Sequence, residues 1–463
     1  MPPDARPPRT PDLAPPRDAF ASSLGAFAAT LGSAVGLGNI WKFPYLTGSN
    51  GGAAFVLTYL LAVALVGLPV MVVEHVIGRR MRLDAVWAYG RVVPGQPFWS
   101  AIGWAGLAAA ILIMSFYTDV AGWVFAYVFK SASALLSGRT LTPQTFAALA
   151  GGTWEPLCWQ IGVLALTAGI IAAGVSNGIE KVTKFLMPLL FALLIVCDIR
   201  ALTLPGATGG VAYLFRPDLS KLSGTVLLSA LGLAFFKLSL GMGTMTTYGS
   251  YLPARTRIVP NAARVALTDT LVSLLAGLAI FPAVFAFGKA PEGGPGLLFN
   301  TIPLVFGQMA MGGLFTTLFF LLAAIATIGA MVSLIEVPVA WIVEKGAVRR
   351  PVAAIIAAAA MLALGVPATL SQSPVLAEVK PFGKSFFDLF DFLSSNVLLP
   401  VGGLAIAIVG GWLLPKQVFL DEANAGHAVA PWHGSAVHGF VRYVAPGLIL
   451  LILLSSLGLI RLS

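Results

Sequence analysis

The chain has 463 residues, 58% of them hydrophobic and only 10% charged, with a mean hydropathy of +0.89. No soluble domain carries that composition, so the class is a polytopic helical membrane protein. The formal charge of +9 does not point to nucleic acid: the basic residues sit in short loops between apolar runs, not on one water-soluble face.

Residues 1–19 hold seven prolines among Arg and Asp and show no apolar periodicity, which predicts a disordered cytoplasmic tail. The run that follows is too long and too glycine-rich for a cleaved signal peptide and reads as the first span. Within it, LGSAVGLGNIWKFP (31–44) is apolar enough for a bilayer, yet Gly32, Gly36, Gly38 and Asn39 interrupt it. In lipid every backbone N–H and C=O needs a partner, so unwound backbone survives only where it lines a cavity. The stretch predicts a broken helix whose free backbone groups face a ligand, as in a transporter. With this first run near 21–46, further runs near 53–77, 99–129, 158–176, 182–204, 222–252, 264–288, 312–342, 351–370, 386–414 and 440–460 make eleven.

The sixth run contains FFKLSLGMGTMTTYGSY (235–251), with Gly241 and Gly243 in mid-segment. Two glycine-interrupted spans, five apart, predict an inverted repeat with a midplane site between its halves. Repeat one would cover 20–205, repeat two 222–414, and 440–460 would be an added span in the transporter domain 20–463. For either span alone, glycines that merely allow close helix packing are the alternative. Seventeen Lys and Arg fall on the side of the N-terminus against nine on the other. That predicts a cytoplasmic N-terminus and, with an odd span count, an outside C-terminus in the plasma (inner) membrane. Cys158 and Cys197 read as small buried hydrophobes, with a disulfide left open. His75, His427, His433 and His438 form no spacing such as H-E-x-x-H, so no enzyme and no confident metal site is expected.

The runs GSAVGLGNIWKFPYLTGSNGGAAF (32–55), GLPVMVVEHVIGRR (67–80), SFYTDVAGW (115–123), SNGIEKVTKFLMP (176–188), FFKLSLGMGTMTTYGSYL (235–252), LLAGLAIFPAVFAFG (274–288), EVPVAW (336–341) and SNVLLPVGG (395–403) span nearly the whole chain. In that order they resemble the neurotransmitter:sodium symporter family, in its bacterial amino-acid branch with the leucine-transporter-like fold. The family is itself a type example of the repeat architecture, so the two arguments are not independent. The resemblance implies an all-α fold of eleven transmembrane helices with helices 1 and 6 broken.

It also implies site residues. A substrate carboxylate would meet the backbone N–H groups around Leu37 and Gly38 and the hydroxyl of Tyr117, since half-helix N-termini suit anions. The amino group would meet carbonyls near Ala34, Phe236 and Ser239, and the side chain would lie among Ile113, Phe236, Ser239, Met242, Ala330 and Leu334. The implied outer gate is Phe236 with Lys42 opposite Asp391. The family usually has Arg in place of Lys42, and lysine lacks the two-pronged contact. The implied inner gate is Arg17 facing Glu344, with Tyr251 and Phe20 nearby. Glu74 and Glu336 match acids expected to bond unwound backbone.

Three further positions, at the implied sodium sites, depart from the family. Lys237 stands where it has Thr, beside the Ala34 carbonyl and Asn39 of the first sodium site. Two unit charges ~4 Å apart repel by roughly 4 kcal/mol at an effective dielectric of about 20, so lysine and sodium exclude one another. A lysine inside a span costs at least ~2.5–3.5 kcal/mol and needs a partner, for which Asp269 is the candidate. Snorkelling or an alignment slip are the alternatives. At the second sodium site the carbonyls of Gly32, Val35 and Ala326 remain, but Gly329 and Ala330 replace two hydroxyl residues. A hard cation thereby loses two oxygen ligands, and Thr327 is turned away. Ser273 stands near the family's chloride or acid position. Asp119 reads equally as a proton or substrate contact and as a structural polar group.

The resulting expectation is a secondary transporter of a small neutral, hydrophobic amino acid working by alternating access. Sodium coupling would be lost or weakened, leaving a proton gradient, exchange or uniport. A conventional sodium–amino-acid symporter on a residual site is one alternative, and a non-transporting amino-acid receptor the other. Short tails, about 19 residues before the first span and three after the last, weigh against the receptor. The expected partners are the amino acid and the lipid bilayer, with no resident cofactor and the oligomeric state left open.

Overall fold

The computed structural model describes residues 18–93, 95–288, 296–346, 348–424 and 431–460, with the side chains of 431 and 432 left out. Among these residues there are helices and no strands. Apolar runs bounded by glycine, proline and charged loops give nine helices of crossing length: Ala53–Met81, Pro97–Leu136, Trp154–Ala172, Val175–Leu202, Ile258–Ala286, Gly312–Gly346, Arg350–Leu370, Phe386–Leu413 and His433–Ser456. Ser23–Ala34 and Gly38–Ser49 form a tenth span bent by 50°. The half-helices Gly224–Lys237 and Thr244–Tyr251 make the eleventh, which is sixth in chain order. The protein is therefore an all-α polytopic membrane protein of eleven spans, numbered here 1 to 11 along the chain.

Broken spans 1 and 6 lie at the centre because their neighbours wrap them. Span 1 packs on spans 5, 7 and 8, and the second half of span 6 lies along span 2. Span 8 is the most buried, with 83% of its apolar window inside the protein, and runs against span 3 for much of its length. Spans 4 and 9 back onto span 3, while spans 10 and 11 close the side next to the first half of span 6. Cys158 is exposed, Cys197 is buried and both are free, so neither makes a disulfide.

Candidate functional site

Each break follows from local sequence. In span 1 the backbone leaves the helix at Val35 (φ −82°, ψ 110°), and Asn39 Oδ1 accepts from the Gly36 N–H at 3.1 Å, satisfying a backbone donor that the break leaves without a helical partner. In span 6, Ser239, Gly241 and Gly243 all have positive φ. A Cβ at Gly241 would stand 2.7 Å from the Leu399 carbonyl of span 10, so only glycine lets the segment approach that helix. Glu74 of span 2 pins the unwound turn: its Oε1 accepts from the Gly241 N–H at 2.8 Å and its Oε2 from the Thr246 hydroxyl at 3.1 Å.

Between the breaks lies a cavity of about 20 Å³ lined by Ser33, Ala34, Gly36, Gly38, Ile113, Tyr117, Phe236, Lys237, Ser239, Met242, Ala330 and Leu334. Nine of the ten expected substrate residues are in that lining. The tenth, Leu37, turns its N–H to the Tyr117 hydroxyl, which accepts it at 2.9 Å. The volume holds about one water, so an amino acid enters only if side chains move, and half-buried Phe236 forms one wall.

Lys237, one of the lining residues, pairs its ammonium with span 7. Its Nζ is 3.0 Å from Asp269 Oδ2, and both side chains are 0% exposed. It also donates to the Tyr59 hydroxyl at 2.8 Å and to Ser273 Oγ, and lies 5.2 Å from the centre of the Phe43 ring. Asn39 Nδ2 donates to Asp269 Oδ1 at 2.6 Å, to the Asp269 carbonyl at 3.0 Å and to Ser273 Oγ at 3.1 Å. Both ends of the Asn39 amide are thus committed to protein groups. Tyr59 of span 2 carries no sequence signal that sets it apart, because its neighbour Thr58 has a hydroxyl as well and tyrosine is common in spans.

Of the residues expected at the second cation position, Gly32 and Gly329 meet backbone to backbone, and Ala330 and Ala326 lie against Gly36 of span 1. A Cβ at Gly329 would run into the Gly32 carbonyl group, 2.9 Å from its carbon. At Gly36 a Cβ would stand 3.0 Å from Ala330 Cβ and 3.9 Å from the Ala326 carbonyl oxygen. The Thr327 hydroxyl donates to the Ala324 carbonyl of its own helix at 2.7 Å. Val35 donates its N–H to Leu31 at 2.7 Å.

At one end of the bundle Lys42 Nζ lies 3.8 Å from Asp391 and 4.1 Å from the centre of the Phe236 ring, joining the three expected gate residues. The opposite end differs from expectation. Arg17 lies outside the described residues. Glu344 accepts from the Asp84 N–H, while Tyr251 donates to Glu336 at 2.5 Å. Arg350, seen in the sequence only as a loop charge, pairs with Glu336 and with Asp18 (3.2 Å) and donates to the Ile171 carbonyl at 2.8 Å. Glu336 therefore serves a side-chain network and not unwound backbone, because span 9 begins at Arg350 beside it. Phe20 closes this end edge-on to Tyr248 and Tyr251. Asp119 is fully buried near the Gln160–Thr118 and Gln160–Thr369 hydrogen bonds.

A model of the sodium:neurotransmitter symporter family matches residues 17–145 and 152–461. The chain belongs to that family. Among its members, an uncharacterized sodium-dependent transporter of Bacillus subtilis, YhdH, is 40% identical over 95% of this chain and 98% of its own length. An uncharacterized sodium-dependent transporter of Haemophilus influenzae is 33% identical over the same shares. Of the solved structures, MhsT in complex with L-phenylalanine is similar with a TM-score of 0.87 and 43% identity, covering 95% of this chain and 100% of that one. The symporter family is one of membrane transporters, and this chain is a multi-pass membrane transporter with a fold similar to that of MhsT.

Proposed function

We propose that this symporter-family member carries a small neutral, hydrophobic amino acid across the plasma membrane by alternating access, and that the Lys237 ammonium does the work of a sodium ion beside the substrate. The substrate class is supported by the apolar cavity lining of Ile113, Phe236, Met242 and Leu334 and by the L-phenylalanine bound to the similar protein MhsT. The Gly38 backbone at the start of a half-helix and the Tyr117 hydroxyl, both in the lining, suit a carboxylate.

The observation that carries the ion reading is the Lys237–Asp269 pair, 3.0 Å apart and sealed from solvent. Sodium binds in oxygen cages; here the expected hydroxyl is replaced by a cation, and the Asn39 oxygen faces the Gly36 N–H. The residues at this position do not fit sodium. Substrate movement would then draw on a proton gradient, exchange or the amino-acid gradient alone. The second reading, a conventional sodium symporter, is favoured by the sodium-dependent names of the relatives.

Uptake of radiolabelled L-phenylalanine into proteoliposomes, in sodium or in choline and with or without a pH gradient, separates the two. Equal uptake in both salts is expected; about tenfold less in choline would overturn the reading. Affinity of Lys237→Thr and Lys237→Met sharpens it. Removing one member of a buried pair typically costs ~3–5 kcal/mol, so binding collapses in choline for both. Sodium rescues only Lys237→Thr, because a thioether is a poor ligand for a hard cation. Normal binding by Lys237→Met would make the lysine a bystander.

A further inference from the structure

The second cation position carries a separate inference, which rests on the family's sodium geometry but not on Lys237. The family resemblance assigns its carbonyls to Gly32 and Val35 in span 1 and Ala326 in span 8, and here Gly32 and Gly329 meet without side chains between them. A Cβ at Gly329 would fall on the Gly32 carbonyl, 2.9 Å from its carbon and 3.1 Å from its Cα. Those are backbone atoms, which cannot swing aside as a side-chain tip would. On the other flank, a Cβ at Gly32 would meet the Thr183 methyl of span 5 at 2.9 Å. Thr183 is itself tied down, donating to the Ile179 carbonyl at 2.8 Å. The hydroxyls nearest in sequence, Thr327 and Ser333, are spent on carbonyls of their own helix.

We infer that Gly329 sets ion specificity by closing this position: spans 1 and 8 are joined by direct glycine-to-glycine backbone packing that does the holding elsewhere assigned to an ion. Close approach of small residues is a strong way to join helices in lipid, where dispersion contact replaces the hydrophobic effect. A cation cannot share the seam, because the atoms of one helix already occupy the space its oxygen shell requires. Loss of the two hydroxyls and loss of the space are therefore one change. The near half of span 1, Ser23–Ala34, is released from span 8 by unzipping packing and not by losing an ion.

Labelling of a buried thiol on span 1 tests this. Ala29, 0% exposed and one turn before Gly32, is the reporter as Ala29→Cys, with Cys158→Ser and Cys197→Ala removing the native thiols. Purified protein in detergent and choline buffer is treated with a maleimide. Gly329→Ala adds a methyl and no oxygen, so an ion-site role predicts the parent rate. The seam predicts labelling about tenfold faster as the wedge separates the helices, and faster still for Gly329→Thr. A parent-like rate in folded Gly329→Ala overturns the inference. A second variant guards against misfolding: Ala330→Ser returns one hydroxyl and leaves the Gly32–Gly329 backbone contact unchanged. Its labelling should respond to sodium no more than the parent does; sodium-dependent protection gained by Ala330→Ser would show room for an ion and overturn it. Neither arm changes the Lys237 site, so sodium-dependent uptake could sink the lysine reading while leaving this one standing.

Discussion

The two ends of the central pathway are built to different strengths. At the Lys42 end one lysine reaches one aspartate across 3.8 Å, with the side chains 21% and 38% exposed, and leans on the Phe236 ring. An exposed pair of this kind contributes ~0–1 kcal/mol, and the cation–π contact about as much again. At the Arg350 end the guanidinium joins Glu336, Asp18 and the Ile171 carbonyl, Glu336 is 0% exposed, and Tyr251 takes its other oxygen. Breaking a buried network of that type costs several times more than breaking a surface pair. A gate needs weak contacts on the side that opens first, so the difference teaches that the Lys42 end, expected to face outside, is the easier to open from this state.

The comparison breaks most readily at Arg350. Arg350→Met leaves Glu336 buried with only a tyrosine partner, a change of ~3–5 kcal/mol, and should lower the melting temperature by several degrees. Adding Glu336→Gln should return part of that loss, since the unpaired charge is gone. If Arg350→Met melts like the unaltered protein, the Arg350 end is not the stronger latch.

A smaller effect is expected from Asp84, in the loop between spans 2 and 3. Its Oδ1 caps the short helix Ala85–Val92 by accepting from Val86 at 2.8 Å. Burial, and then the Glu344 carboxyl beside it, push its pKa up to about 7. The folded protein thus holds a proton that the unfolded chain releases near pH 4. Stability from this group is complete below about pH 4 and is lost as pH rises through about 7. Melting temperature should fall between pH 5.5 and 8, and Asp84→Asn should flatten the decline. An unchanged slope in Asp84→Asn would assign the pH dependence elsewhere.

The smallest effect belongs to the Lys42 end. Lys42→Met should shift apparent L-phenylalanine affinity by no more than about fivefold, the equivalent of ~1 kcal/mol. Lys42→Arg, with its two-pronged reach to Asp391, should slow association. A loss of hundredfold or more in Lys42→Met would reverse the ranking of the two ends.

Much of this was legible in the chain. Hydropathy placed the eleven spans with ends off by up to seven residues, because a bilayer-length apolar run is a one-dimensional signal but its interfacial turns are not apolar. The glycines at 36, 38, 241 and 243 marked both breaks, because lipid tolerates so little free backbone. Lys237 and Asp269 could be matched because each was a charge in an apolar span needing an opposite. Arg350 could not be matched, since a loop-edge arginine has many possible partners and only packing brings span 9 beside Glu336. Tyr59 was hidden for a related reason: tyrosine is at home in a span, and only its distance to Lys237 gives it a role. The closure at Gly329 was half visible, as a missing hydroxyl. The missing space is a property of two backbones and leaves no mark on either sequence segment alone.

One hydrogen bond reaches further than its size suggests. Ser239, strained at φ +54° in the unwound part of span 6, donates its hydroxyl to the Ser33 carbonyl beside the break in span 1 at 2.9 Å. Thr244 then donates to the Ser239 carbonyl at 2.7 Å. These oxygens would otherwise be bare in a dry interior, where an unmet acceptor costs ~1–3 kcal/mol. The two discontinuities are stitched into one joint. Separating the two breaks at this level would leave the Ser33 carbonyl without this donor, so the bond couples span 1 to span 6 across the site.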